Sequence, residues 1–139
     1  MNRLKLQKIV SDPVLLRQLT EIYRVPLTVQ DAKLLCLCSC GVPERKTLRG
    51  VDENVFVTRF LSVDPEDELN VLSLARQINE EESNTFYLPF AQDSFGACFC
   101  LKYEAGAPLG VFWTEGDEEQ EQKLTRDLPE FLRLLDLLK

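Results

Sequence analysis

The chain has 139 residues, 45% of them hydrophobic and 28% charged, which fits one globular domain able to close a single core and leaves no room for a second of useful size. Its formal net charge of -7 is unevenly spread: residues 1–63 hold ten Lys or Arg against six acids, and residues 64–139 hold six against seventeen. There is no histidine, which excludes, within this chain, Ser-His-Asp and Cys-His catalysis, HExxH metalloprotease sites and imidazole metal ligands.

In chain order, the first helix is expected to open at Asp12-Pro13. The carboxylate there can cap, and proline at the first helical position loses no hydrogen bond. Leu15, Leu16, Leu19, Ile22 and Tyr23 follow at three- and four-residue spacing, while Arg17, Gln18 and Glu21 fall elsewhere around the turn. Residues Leu34 to Cys40 are dense in apolar side chains and fit a buried helix or a strand equally well by period alone. Thr28 followed by Asp31 resembles a capping box, and Gly41 stands where a helix end wants positive φ, so a helix over 28–40 is expected.

Val55 to Leu61 reads as a strand. Asp64-Pro65 repeats the earlier cap-and-proline signal and predicts a helix, with Asp67 and Glu68 in its first turn and Val71, Leu74, Ala75 and Ile78 on its buried face. Phe86 to Phe90 is strand-like until Pro89, which suggests an edge or a strand end. Ala97–Tyr103 and Gly110–Thr114 are two further strands, separated by turns at Asp93-Ser94-Phe95-Gly96 and Ala105-Gly106-Ala107-Pro108. Leu128, Phe131, Leu132, Leu135 and Leu138 form a closing apolar stripe, with Asp127 as N-cap and Glu130 three residues on. The layout implies a single α+β domain over 1–139: a central antiparallel sheet of about four to six strands, N-terminal helices, one inserted helix and a C-terminal helix.

Neither a GxGxxG nor a GxxxxGK[ST] pattern occurs, so nothing points to a dinucleotide or Walker phosphate site. The longest apolar run, Leu34 to Cys38, is five residues, far below the roughly 20 of a membrane span. Asp12, Arg17, Glu21 and Arg24 interrupt any export-signal core in the first thirty residues, and a cytoplasmic location is expected. Five cysteines fall in two clusters, Cys36-Cys38-Cys40 and Cys98-Cys100. Cys36 and Cys40 on a helix and Cys98 and Cys100 on a strand could converge on zinc. The C-x-C spacing inside apolar segments favours packing as small hydrophobes instead, and neither metal nor other cofactor is expected. Acids gather at Asp64, Glu66, Asp67 and Glu68, at Glu80-Glu81-Glu82 and at Glu115, Asp117, Glu118, Glu119 and Glu121. Such runs are solvated faces in most proteins; they repel nucleic acid and steer a basic protein partner.

Phe86-Tyr87-Leu88-Pro89-Phe90-Ala91-Gln92-Asp93-Ser94-Phe95-Gly96-Ala97-Cys98-Phe99-Cys100-Leu101 is similar to the central signature of the SUKH superfamily, the Smi/Knr-like domains. In that family Leu-Pro-Phe-Ala-x-Asp-x-x-Gly leads into a strand. Gly110-Val111-Phe112-Trp113 resembles the next strand of that family, and Asp127-Leu128-Pro129-Glu130-Phe131-Leu132 its closing helix. Leu27 to Asp31 through Cys40-Gly41-Val42-Pro43 resembles its short upstream helix, with Ser39-Cys40-Gly41 keeping one glycine of an Asn-Gly-Gly ending. The central motif is also turn chemistry: Pro89 ends a strand, Asp93 bonds its own following backbone and Gly96 allows the reversal, with Leu88, Phe90, Phe99 and Leu101 as core.

The resemblance implies function through binding rather than catalysis. Bacterial members look like immunity proteins that neutralise a toxin, often a nuclease; fungal relatives act as regulatory or scaffolding hubs, the alternative here. A nuclease must present a basic surface, and carboxylates can occupy it. Under that reading Glu115, Asp117, Glu118 and Glu119, joined by Asp64, Glu66, Asp67 and Glu68, form the rim, with Trp113 or Tyr87 as aromatic anchor and Trp113 alternatively core. The partner would be a basic protein such as a toxin, without direct nucleic-acid or membrane binding, and the chain a monomer or weak homodimer. A carboxylate-pair enzyme is the rival from another class, but no two acids are set at a defined geometry.

Overall fold

In the computed structural model the described residues are 4–5, 13–80, 83–115 and 120–138. Helices α1 (Val14–Tyr23) and α2 (Val29–Cys38) come first, and a small ladder pairs β1 (Leu4–Lys5) with β2 (Val42–Pro43). Then follow β3 (Arg59–Phe60), α3 (Val71–Ile78), β4 (Thr85–Gln92), β5 (Cys98–Glu104), β6 (Ala107–Thr114), β7 (Glu121–Thr125) and α4 (Leu128–Leu134). Strands β3 to β7 form one antiparallel sheet in sequence order, so the fold is α+β. Among the described residues no helix is long and apolar enough to cross a membrane.

Alternation along the strands sets which side of the sheet is dry. Phe86, Leu88 and Phe90 of β4 and Phe99, Leu101 and Tyr103 of β5 are all buried. Tyr23 of α1 stacks on Phe86 at 4.3 Å between ring centroids, and Phe131 of α4 meets Phe90 at 5.2 Å and Phe99 at 5.7 Å. Asp127 caps α4 as its sequence suggests, accepting the Glu130 N–H at 2.9 Å, and Leu128, Phe131, Leu132 and Leu135 are buried.

The first two helices stand close to the predicted bounds. Pro13 is the N-cap of α1 rather than its first residue, and Asp12 lies outside the described residues. The segment at 34–40 is helical only to Cys38, with Thr28 accepting the Asp31 N–H at 3.1 Å. The left-handed residue after α2 is Cys40, at φ 58°, and not Gly41. Gly41 instead bonds across to the sheet, its carbonyl accepting the Phe60 N–H at 2.8 Å.

Asp64-Pro65 does not start a helix. Asp64 accepts the Glu66 N–H at 2.9 Å and closes a local turn, so Asp67 and Glu68 lie in a loop rather than in a first helical turn. Helix α3 begins six residues later than Pro65, at Val71, because Asn70 and Ser73 form a reciprocal capping box that satisfies two N–H groups at once. The apolar face was nonetheless legible: Val71, Leu74 and Ala75 are buried.

The strands depart from expectation in three places. Only Arg59–Phe60 of the 55–61 segment is ladder-paired, the remainder being held by single bonds such as Val57 N–H to the Lys46 carbonyl at 2.8 Å. Pro89 does not end β4; it occurs inside it, beside a register shift between Pro89 and Ala91 and on the stretch of β4 that β3 leaves unpaired. A bulge is where a ladder tolerates a residue without an N–H. On the other side β3 is too short to reach it, and the Asn79 amide substitutes for a strand, bonding both the N–H and the carbonyl of Tyr87 at 2.8 Å. Finally, β7 was not foreseen, because Glu121, Gln122 and Lys123 are exposed and only Thr125 is buried, leaving no alternation to read.

Two stability measurements follow. Phe131→Ala empties the junction between the sheet and α4 and is expected to cost about 3–5 kcal/mol in urea unfolding. Asn70→Ala is expected to cost about 1 kcal/mol by removing the cap of α3; an unchanged midpoint would place the helix start elsewhere.

Candidate functional site

The acidic residues fall into separate places. Asp64 and Asp67 are half-buried, and Asp67 accepts the Ser62 hydroxyl at 2.5 Å and lies 3.9 Å from the Cys40 thiol. Glu66 and Glu68 are exposed. Their loop follows β3, whereas the exposed Glu115 lies just after β6 and closes the turn into β7 through its N–H to the Gln120 carbonyl at 3.2 Å. Three strand intervals separate β3 from β6, on the order of 14 Å across the sheet. Glu115 and the 64–68 loop therefore stand apart. Asp117, Glu118 and Glu119, with Glu81 and Glu82, lie outside the described residues.

The aromatic candidates are engaged within the fold. Trp113 is half-buried against the core, and its Nε1–H points to Asp93 Oδ2 at 3.5 Å. The Tyr87 hydroxyl donates to Glu121 Oε2 at 2.6 Å. Lys102 pairs with Glu121 Oε1 at 2.5 Å while its ammonium lies 5.2 Å from the Tyr87 ring centroid and 4.8 Å from that of Phe112. Burial alone would raise the Glu121 carboxyl, but the bonds from Lys102 and Tyr87 outweigh it and hold the group below its usual value.

Neither candidate anchor is the exposed aromatic, which is Phe95. Its residue is 86% exposed, at the tip of the β4–β5 turn. The turn is tightly built: buried Asp93 accepts from the Phe95 N–H at 2.8 Å and the Ala97 N–H at 3.0 Å, and Gly96 takes φ 89°. Ser94 and Thr58 share a hydroxyl bond at 2.9 Å, and Phe56 packs edge-on to Phe95 at 6.1 Å. Register pairs Cys98, just after this turn, with Thr114, so Glu115 stands at the same end of the sheet. Charge of both signs lies along this segment: exposed Asp52 and Glu53 precede Phe56 and exposed Arg59 follows it, while the carbonyl of exposed Lys46 accepts the Val57 N–H at 2.8 Å. Composition gave no way to single out Phe95, since phenylalanine in a short turn carries no sign of which way its ring faces.

The cysteines do not assemble a metal site: among the described residues no three His, Cys, Asp or Glu side chains come together to hold an ion. Cys36, Cys38, Cys98 and Cys100 are buried and Cys40 is half-buried. Burial pushes the Cys38 thiol up to about 12 and raises Cys98 and Cys100. In native protein, iodoacetamide is expected to label Cys40 first and the other four only with unfolding; rapid labelling of Cys38 or Cys100 would contradict their burial.

A second expectation concerns acid. Because the folded Glu121 carboxyl lies below the ordinary carboxylate value of 4.5, its contribution is present above that pH and is lost as pH falls through the folded value. Glu121→Gln should flatten the loss of stability over that acid range, read from urea midpoints; an unchanged acid limb would remove the pairing with Lys102 as a source of stability.

No family model matches the chain, and neither a curated protein nor a solved structure matches it.

Proposed function

We propose that the chain is a non-enzymatic protein-binding domain of the Smi/Knr type, an immunity protein that neutralises a cognate toxin by covering a basic surface of it. Phe95 carries this reading. A ring left 86% exposed on a turn whose polar groups are already bonded has the character of an interface anchor: large apolar area, and little conformational entropy left to lose on docking. Phe56 supports it on one side, and the exposed Glu115 supplies negative charge at the same end of the sheet. That is the complement of a protein evolved to hold phosphates, as a nuclease is.

The anchor role thus passes from Trp113 and Tyr87 to Phe95, while Glu115 keeps its place in the rim. The loop with Glu66 and Glu68 is a separate acidic patch, three strand intervals away across the sheet.

The test is co-purification of the tagged chain from its native cells under a low-salt wash, followed by affinity measurement on the partner recovered. A stoichiometric basic protein with a toxin domain is expected. Phe95→Ala should then weaken binding by about 30-fold, the effect of a hot-spot residue worth about 2 kcal/mol. Glu115→Lys should slow association and reduce its salt dependence. Binding that is indifferent to Phe95→Ala, or recovery of no basic partner while the toxin gene is expressed, would contradict the proposal.

A further inference from the structure

We propose that the groove between α1 and α2 is a binding site for an amphiphilic monoanion, an apolar tail carrying a single carboxylate. The cavity there has a volume of about 530 Å³, within the range of small-molecule sites. Leu16 and Leu27 line it with Cys36, and two side chains on its margin are apolar and left in water, Val29 at 74% exposed and Leu37 at 64%. This follows from α2 itself, whose run Leu34 to Cys38 is apolar all round. Such a helix buries one face in the core, with Leu35, Cys36 and Cys38, and must leave Leu37 outside it.

The polar part of the lining has one sign. Among the described residues it carries Arg17 and Lys33 and no carboxylate. The Thr20 hydroxyl donates to the Arg17 carbonyl at 2.8 Å, and the Thr28 oxygen accepts the Asp31 N–H at 3.1 Å, which leaves the Thr28 O–H able to assist an anionic head. Arg17 interacts elsewhere in the chain, so the anionic head falls to Lys33, an exposed side chain. A long apolar floor with one cation at its rim favours a ligand of matching shape, and disfavours a cationic amphiphile of the same length. The site is separate from the Phe95 end of the sheet and does not depend on how that surface is used.

Dodecanoate is the probe, titrated below its micelle concentration by calorimetry and by displacement of anilinonaphthalene sulfonate, against octanoate, dodecanol and dodecyltrimethylammonium. The wild type is expected to bind one equivalent of dodecanoate, more weakly octanoate, with up to about fourfold per methylene at full burial. Leu37→Asn should weaken dodecanoate and dodecanol alike by at least about tenfold. Lys33→Glu should weaken dodecanoate by about threefold or more and leave dodecanol unchanged. Both positions are exposed, so the variants are expected to keep the wild-type unfolding midpoint. Absence of saturable binding, several equivalents per chain, equal affinity for the cationic amphiphile, or indifference to either substitution would overturn the proposal.

Discussion

The carboxylate of Asp93 is the interaction on which the described surface depends. It is buried, and it collects the N–H groups of Phe95 and Ala97 on one oxygen and the Trp113 indole on the other. Those contacts join the end of β4 to the start of β5 and to β6 across it. Hydrogen bonds to a charged acceptor contribute about 1.5–3 kcal/mol each, and an orphaned buried N–H costs a comparable amount. The turn is therefore determined by polar bonding and does not need the Phe95 ring to pack. That leaves roughly 2–3 kcal/mol of apolar burial unrealised in the free chain and available to a partner.

Behind this turn the sheet is kept in place from the opposite side. Phe131 wedges α4 against Phe90 and Phe99, one ring from each of the strands that the turn connects. Asn79 closes the open edge of β4 beyond the reach of β3. Gly110 lets β7 approach β6, since a Cβ there would lie 2.6 Å from the Thr125 carbonyl oxygen. These contacts hold the strands together behind the turn, and Phe56, Phe95 and Glu115 come from three separate connections.

The fold class and most elements were legible because burial leaves a pattern: α1, α3 and α4 show it in their apolar spacing, and β5 in an unbroken apolar run. What was not legible has two physical sources. Local polar bonding competed with the proline signal at Asp64-Pro65, where the carboxylate bonds Glu66 and the capping box at Asn70 and Ser73 opens the helix instead. Edge position removed the pattern from β7, which faces water over Glu121 to Lys123. Of the proposed site, the acidic runs are legible in the sequence and the exposed ring is not. Trp113 and Tyr87 are the larger aromatic cues, yet Asp93 and Glu121 hold them inward, and the ring in water is Phe95.

A double-mutant cycle tests most directly whether Asp93 pre-organises Phe95 for a partner. Affinity for the basic protein retained at low salt would be measured with wild type, Asp93→Ala, Phe95→Ala and the double variant, each checked for an intact unfolding transition. If the carboxylate holds the ring in its binding position, the two losses overlap, and Phe95→Ala costs markedly less once Asp93 is gone. Independent, additive losses, or a Phe95→Ala effect no larger than that of a neighbouring surface residue, would contradict the account.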